Sequence, residues 1–384
     1  MKTLVLLSTG LVLILAQNSK LLQDFIAGNQ RFAANIYKEA LKTTKGNFLI
    51  NPLSLQMILS LALMEATEEG FAEISSALEL PIRDDEETKQ LFKQIISNMD
   101  KTGESTLATA NKILVKKGLH IKDDLKVVAI NNYNSEIEHV NFLDKSAISK
   151  INNWVTQNTF DKTTMMVSEN SFSEKTNTVL VNLQYFKGFW QKGFSSRSTK
   201  PRTFYINETA KAEIDLMELS TNFKYAYNDT LRAQFIELPY YDSDMSMTIV
   251  LPDDIFGLPR LEARIEEIFY DQIYYGPKVR LIMPTFSIKS TVLLDTALKN
   301  LGIKHAFSDN GDADGIGFKI SNAYQKAIID VNEDGRAVVA RRGKIQGTAP
   351  WVEILIDFIA DHPFLFYLKS QSAGVFFIGR YIAP

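Results

Sequence analysis

Apolar positions change their spacing partway along the chain. Over residues 21–41 they recur at helical intervals (Leu22, Phe25, Ile26, Phe32, Ile36, Tyr37, Leu41) and predict one amphipathic helix. Phe48–Ile50 is a short apolar strand closed by Asn51-Pro52, with Ser54 as the expected cap of a helix over 55–66. Helical spacing returns over 86–99, 123–132 and 146–158, the last with Trp154 on its inner face. Strands are expected at 108–115 and 136–140. Farther on, two-residue alternation and β-branched runs dominate. They predict strands at 178–185, 204–206, 212–219, 223–228, 233–239, 245–251 and 279–284, interrupted by helices over 258–269 and 291–301. Strands at 358–359, 364–369 and 375–380 close the chain, the last two joined by the polar turn at 370–374. Helices early and strands late indicate an α+β fold rather than alternating βαβ units. With no internal repeat and no linker rich in Pro, Gly or Ser, one large domain is expected.

One stretch obeys neither period. A strand-like entry at 327–331 runs into Asn332, Glu333, Asp334 and Gly335. A small-residue segment carrying Arg336, Arg341, Arg342 and Lys344 follows, and an apolar pattern resumes only at Val352. A segment of roughly 15 to 20 residues without periodicity is uncommon in a compact domain and is functional or disordered. An exposed peptide of small and basic residues is what a protease cleaves, so the segment reads as bait.

Composition narrows the alternatives. The 384 residues are 45% hydrophobic and 23% charged, enough for a substantial core, and a net charge of -3 creates no field that favours nucleic acid. Zero cysteines exclude disulfides, thiolate metal sites and a cysteine nucleophile. The four histidines (His120, His139, His305, His362) are scattered, so a metal centre has little material and no cofactor is expected. No Walker loop, dinucleotide fingerprint, G-x-S-x-G elbow or H-E-x-x-H is present. The run 309–317 resembles a calcium loop but lacks the terminal glutamate at the required spacing, and reads as a solvated loop. Nothing here assembles a catalytic constellation.

The N-terminus adds a destination. Met1-Lys2 is a short positive region, residues 4–15 are apolar, and Ala16-Gln17 offers small-residue cleavage. Residues 1–16 therefore read as a secretory signal peptide, too short to be a membrane span, with 17–384 as the mature domain. Sequons at Asn207 and Asn228 suit a secreted glycoprotein.

Ordered motifs along nearly the whole mature chain resemble the serpins. They include Asn182 with Tyr185-Phe186-Lys187-Gly188-x-Trp190-x3-Phe194, then Glu237-Leu238-Pro239-Tyr240 and Met247-x-Ile249-x-Leu251-Pro252. Pro284-Thr285-Phe286, Leu301-Gly302-Ile303 and Ala306-Phe307 follow in order. Asn332-Glu333-x-Gly335 resembles the family hinge, and Phe358-x-Ala360-Asp361-His362-Pro363-Phe364 with Gly379-Arg380 its closing signature. The resemblance implies the serpin fold: three β-sheets, about eight or nine helices and an exposed reactive-centre loop over about 333–352. It also implies a suicide mechanism, in which a target endopeptidase cuts the loop and is held as an acyl-enzyme. The cut loop then enters the large sheet as a new strand. The expected molecule is a monomer whose partner is that endopeptidase, with no membrane or nucleic acid and no support for a glycosaminoglycan.

Four features depart from the family pattern. At the hinge (Glu333, Gly335, Arg336, Ala337, Val338), Arg336 stands where inhibitory members carry Thr or Ser. Burying an unpaired guanidinium costs on the order of several kcal/mol. Both side-chain parities of the loop contain an arginine, so a one-residue slip does not remove the cost. The family spacing from Glu333 puts the scissile bond at Ala349-Pro350, which most serine proteases refuse; Arg341, Arg342 and Lys344 suit a trypsin-like or cathepsin-like enzyme instead. In the sheet-opening region (Asn51, Ser54, Asn182, Trp190, Gln325), Asn51 and Gln325 replace the family's Ser and His. A non-inhibitory binding or storage protein stays open as the alternative, because Arg336, Arg341 and Arg342 oppose loop insertion.

Overall fold

Strict alternation through Phe286–Leu293, with every second side chain buried, makes this segment a strand (β11) that lines one edge of the largest packed layer. The computed structural model describes residues 2–64, 66, 68–81, 85–99, 103–163, 165–168, 170–308, 319–336 and 355–384. Among them are eight α-helices, three short 3-10 turns and fifteen strands in three sheets, the α+β architecture expected.

The helices are α1 (Lys2–Thr43), α2 (Pro52–Leu63), α3 (Glu68–Ala77), α4 (Asp85–Met99), α5 (Asp123–Tyr133), α6 (Lys145–Asn158), α7 (Leu258–Glu262) and α8 (Asp295–Asn300). A five-stranded sheet runs in the order β11, β12 (Ile320–Val331), β4 (Thr178–Lys187), β2 (Thr106–Lys116) and β3 (Ser135–Val140). A six-stranded sheet orders β1 (Phe48–Ile50), β15 (Gly374–Tyr381), β14 (Phe364–Ser370), β9 (Met245–Pro252), β8 (Ala233–Pro239) and β7 (Lys224–Asn228). The third sheet orders β13 (Leu355–Ile359), β10 (Lys278–Pro284), β6 (Lys211–Asn222) and β5 (Lys200–Tyr205).

Strand β4 is the pivot of the architecture. Its residues are buried on both faces almost throughout, because two layers sandwich it. Val179, Val181 and Leu183 pack with Ile151 and Val155 of α6, whereas Leu180 and Phe186 join the main core around α2. The strand's period of two thus divides its side chains between two cores. Helix α2 is buried along its whole length, which explains an apolar sequence without a polar stripe.

Several expectations need correction. Helix α2 begins at Pro52, and its cap is Asn51, whose side chain accepts from the Ser54 N–H; Ser54 lies inside the helix. The helix expected over 291–301 is a strand as far as Leu293, because Thr291 and Leu293 continue the alternation of β11, and α8 starts only at Asp295. The helix expected over 258–269 divides into α7 and a 3-10 turn over Ile265–Phe269. Helix α1 extends well beyond 21–41, and the apolar run at 4–15 forms part of it. The calcium-like run 309–317 lies outside the described residues.

Candidate functional site

The seam between β4 and β12 is the first half of the site. The two strands are parallel and paired from Thr178↔Ile320 to Lys187↔Asp330. Cross-strand register sets Asn111, Asn182 and Gln325 side by side on β2, β4 and β12, all facing the start of α2. Gln325 Nε2 donates to Asn182 Oδ1 at 2.7 Å and to the Asn51 carbonyl at 2.8 Å. Its Oε1 accepts the Asn51 N–H at 2.8 Å. Asn182 Nδ2 donates to both Ser54 Oγ and Asn111 Oδ1, and Ser54 Oγ reaches Asn111 Oδ1 at 3.2 Å. These five side chains are buried in an otherwise apolar core. Two donors, Asn51 Nδ2 and Asn111 Nδ2, have no partner among the described residues. Separating β4 from β12 breaks the Gln325–Asn182 bond inside a buried cluster.

On the opposite face of the same strands, the segment after α6 crosses the seam. Lys162 pairs with Asp330 of β12 at 3.1 Å, and the Phe160 ring lies 5.5 Å from that of Tyr185 on β4. Lys326 Nζ donates to the Met165 carbonyl at 2.5 Å. Burial, with the nearby Lys289 ammonium, lowers the Lys326 pKa. Burial pushes the Asp330 carboxyl up, but hydrogen bonds from Ser287, Lys162 and Tyr185 outweigh it and hold the group below the ordinary carboxylate range.

The hinge is the second half. Beyond Val331 the chain leaves the seam through an Asn332–Asp334 turn in which Asn332 Oδ1 accepts the Asp334 N–H at 3.1 Å. Residues 333–336 then lie along 190–194. Trp190 N–H donates to the Asp334 carbonyl, Arg336 N–H to the Trp190 carbonyl and Gly193 N–H to the Arg336 carbonyl, each at 2.9 Å; Phe194 N–H reaches the Glu333 carbonyl at 3.1 Å. The Trp190 indole donates to the Asn332 carbonyl at 2.7 Å and stacks on Tyr240 at 4.5 Å between centroids. Thr199 Oγ1 donates to Glu333 Oε1 at 2.6 Å, and Lys187 pairs with Asp334 at 2.8 Å. Glycine is required at both crossing points: a Cβ on Gly335 would lie 2.6 Å from Gly193 Cα, and one on Gly193 would lie 2.8 Å from the Gly335 carbonyl carbon. Arg336 is exposed, with its guanidinium 5.1 Å from the Tyr241 ring centroid.

Of the sheet-opening residues expected from sequence, Asn51, Ser54, Asn182 and Gln325 come together in one cluster. Trp190 lies at the far end of β4 under the hinge instead. Sequence reasoning missed Asn111 and Thr199, since only the cross-strand register and the fold bring them to Asn182 and Glu333. Glu333, Gly335 and Arg336 are placed. Ala337, Val338, Arg341, Arg342, Lys344, Ala349 and Pro350 lie outside the described residues. Of the two sequons, Asn207 is exposed in the β5–β6 turn, its Oδ1 accepting from Thr209 Oγ1 at 3.0 Å. Asn228 is half-buried and donates to Gln272 Oε1 at 3.0 Å.

Comparison with known proteins completes the picture. A family model described as "Serpin (serine protease inhibitor)" matches residues 27–384. The chain is 31% identical to "Serine protease inhibitor 42Dd" of Drosophila melanogaster, covering 89% of this chain and 92% of that one. It is 29% identical to "Antichymotrypsin-2" of Bombyx mori, covering 91% and 96%. The solved structure of Serpin48, described as a highly specific serpin in the insect Tenebrio molitor, superposes with a TM-score of 0.84 at 32% identity, covering 94% of this chain and 98% of that one. These relatives are named as inhibitors of proteases and not as enzymes. With a matching family model over nearly its whole length and a parallel β4–β12 seam in a five-stranded sheet beside a tethered hinge, the chain belongs to the serpin family.

Proposed function

We propose that this serpin is a secreted, monomeric inhibitor that offers residues 333–352 as bait to an endopeptidase cutting after basic residues, either a trypsin-like serine or a cathepsin-like cysteine enzyme. The observation that carries this reading is the closed seam beside an outward-turned hinge. Strands β4 and β12 are adjacent and parallel, while 333–336 hold to the 190–194 segment rather than to either strand's ladder. A strand that enters between them meets rows of donors and acceptors on both sides, so cutting the loop releases a segment with a place to go. The bait chemistry rests on Arg341, Arg342 and Lys344. The leader-like residues 1–16 and the exposed sequon at Asn207 support secretion. No helix among the described residues is long and apolar enough to cross a membrane.

One observation favours a second reading, a non-inhibitory serpin. Arg336 rests on Tyr241 in solvent, and insertion would strip it of both water and ring. Incubation with trypsin-like and cathepsin L-like enzymes separates the two. Loss of protease activity with a covalent band on denaturing gels is expected for the inhibitor. Clean loop cleavage with full protease activity would overturn it in favour of the second reading. A large rise in melting temperature on cleavage reports insertion itself.

A further inference from the structure

A cleft of about 290 Å³ opens beside the hinge, outside the seam. Trp190, Phe223, Leu238 and Pro239 give it an apolar wall, and Lys192, Lys224 and the Glu237 carboxylate also line it. The two ammoniums differ. Lys224 Nζ is 2.7 Å from Glu237 Oε1, so its charge is met. Lys192 is half-buried and donates to Thr221 Oγ1 and to the Asn222 carbonyl, both at 3.0 Å, with the Phe223 ring 6.0 Å away. Among the described residues it meets no carboxylate. An ammonium partly withdrawn from water, with only neutral partners, is complementary to an anion supplied from outside. The apolar wall suits a hydrocarbon chain or a ring, and a cleft of this size takes a small molecule rather than a peptide.

We propose that this cleft binds a small amphiphilic anion, an alkyl or aryl carboxylate, with its tail against Phe223 and Pro239 and its carboxylate on Lys192. Trp190, almost wholly buried, borders both cleft and hinge: it lines the cleft, and its backbone N–H and C=O hold Asp334 and Arg336. A ligand seated in the cleft therefore braces the segment that holds the hinge in its docked position. The site does not depend on which protease the loop meets.

Octanoate is a suitable probe. The chain has three tryptophans, so a Trp154→Phe/Trp351→Phe background leaves Trp190 as the sole reporter. Octanoate is expected to produce a saturable change in its emission, and adding Lys192→Met is expected to weaken binding by about tenfold or more. The neutral isostere octan-1-ol should bind less tightly and lose little on the same substitution. Should the background fail to fold, 19F NMR of the wild-type chain labelled with 5-fluorotryptophan gives the same readout. No saturable change up to about 10 mM octanoate, or equal affinity with and without Lys192, would overturn the site. Amide exchange at Trp190 and Arg336 should slow by about tenfold when octanoate is bound; unchanged exchange at saturation would overturn the coupling to the hinge.

Discussion

The seam and the hinge are held by opposite means. At the seam the restraint is a set of buried side-chain amides, Asn111, Asn182 and Gln325, bonded to one another and to the start of α2. At the hinge it is mostly main chain: four backbone bonds to 190–194, two glycines in contact, and side-chain ties from Thr199 and Lys187 near the surface. Opening the first leaves polar groups stranded in a core. Opening the second exposes groups that water can satisfy at once. The seam should therefore govern whether the sheet opens, and the hinge how easily the loop moves while the sheet is shut.

Trp190 ties the hinge to the core, and its loss should produce the largest effect. Trp190→Ala removes the stacking on Tyr240 and the indole bond to Asn332, and should destabilise the protein by about 3–5 kcal/mol. A lowered urea midpoint together with faster proteolysis after 336 is expected. Faster proteolysis at an unchanged midpoint would show the two regions to be uncoupled.

Next comes Asn182→Ala. It strands Gln325 Nε2 on one side and withdraws a donor from Ser54 and Asn111, for a loss of about 1–3 kcal/mol. Stability should fall while exchange at Trp190 and Arg336 stays near wild type. If those hinge amides speed up in step, the distinction between the two regions fails. Thr199→Val is the converse and smaller test. It deletes one hydrogen bond to Glu333, about 0.5–1.5 kcal/mol, and should speed hinge exchange while scarcely moving the urea midpoint.

The sequence made some of this legible for definite physical reasons. The apolar run located Ala233–Pro239 to the residue, because β8 lies inside a sheet and most of its residues are buried. Alternation in β11 is strict, yet Thr291-Val292-Leu293-Leu294 runs straight into α8 and hid the boundary. Helix α3 buries only Gly70 and Ile74, too few positions to establish a helical period. The amide cluster was visible in four of its members through motif likeness. Asn111 was not, since its place depends on the pairing of β2 with β4, which no local pattern encodes. The hinge motif pointed to Glu333 and Gly335, but its partners Gly193 and Thr199 lie more than a hundred residues upstream.

The smallest expected effect concerns pH. A hydrogen bond from Lys187, opposed by slight burial and helped by Asn332 and the Lys187 charge, holds the Asp334 carboxyl below its ordinary value of 3.8. Its pKa is thus lower with the hinge docked than with it released, so protonation favours release. The contribution is fully present above 3.8 and is lost as pH falls through the lower, docked value. Asp334 is half exposed, so solvent screens the pair and its share is small. Protection of the Trp190 amide, which donates to the Asp334 carbonyl, should accordingly be level from about pH 5 to about pH 8 and decline only in acid. Other carboxylates titrate there too, Asp330 among them, so the informative quantity is the difference between wild type and Asp334→Asn. That difference should shrink as pH falls below 3.8, and Lys187→Met should reproduce it. A difference independent of pH would assign the hinge's hold to its backbone bonds alone, and one that vanished near neutrality would mean that a different group controls the docked state.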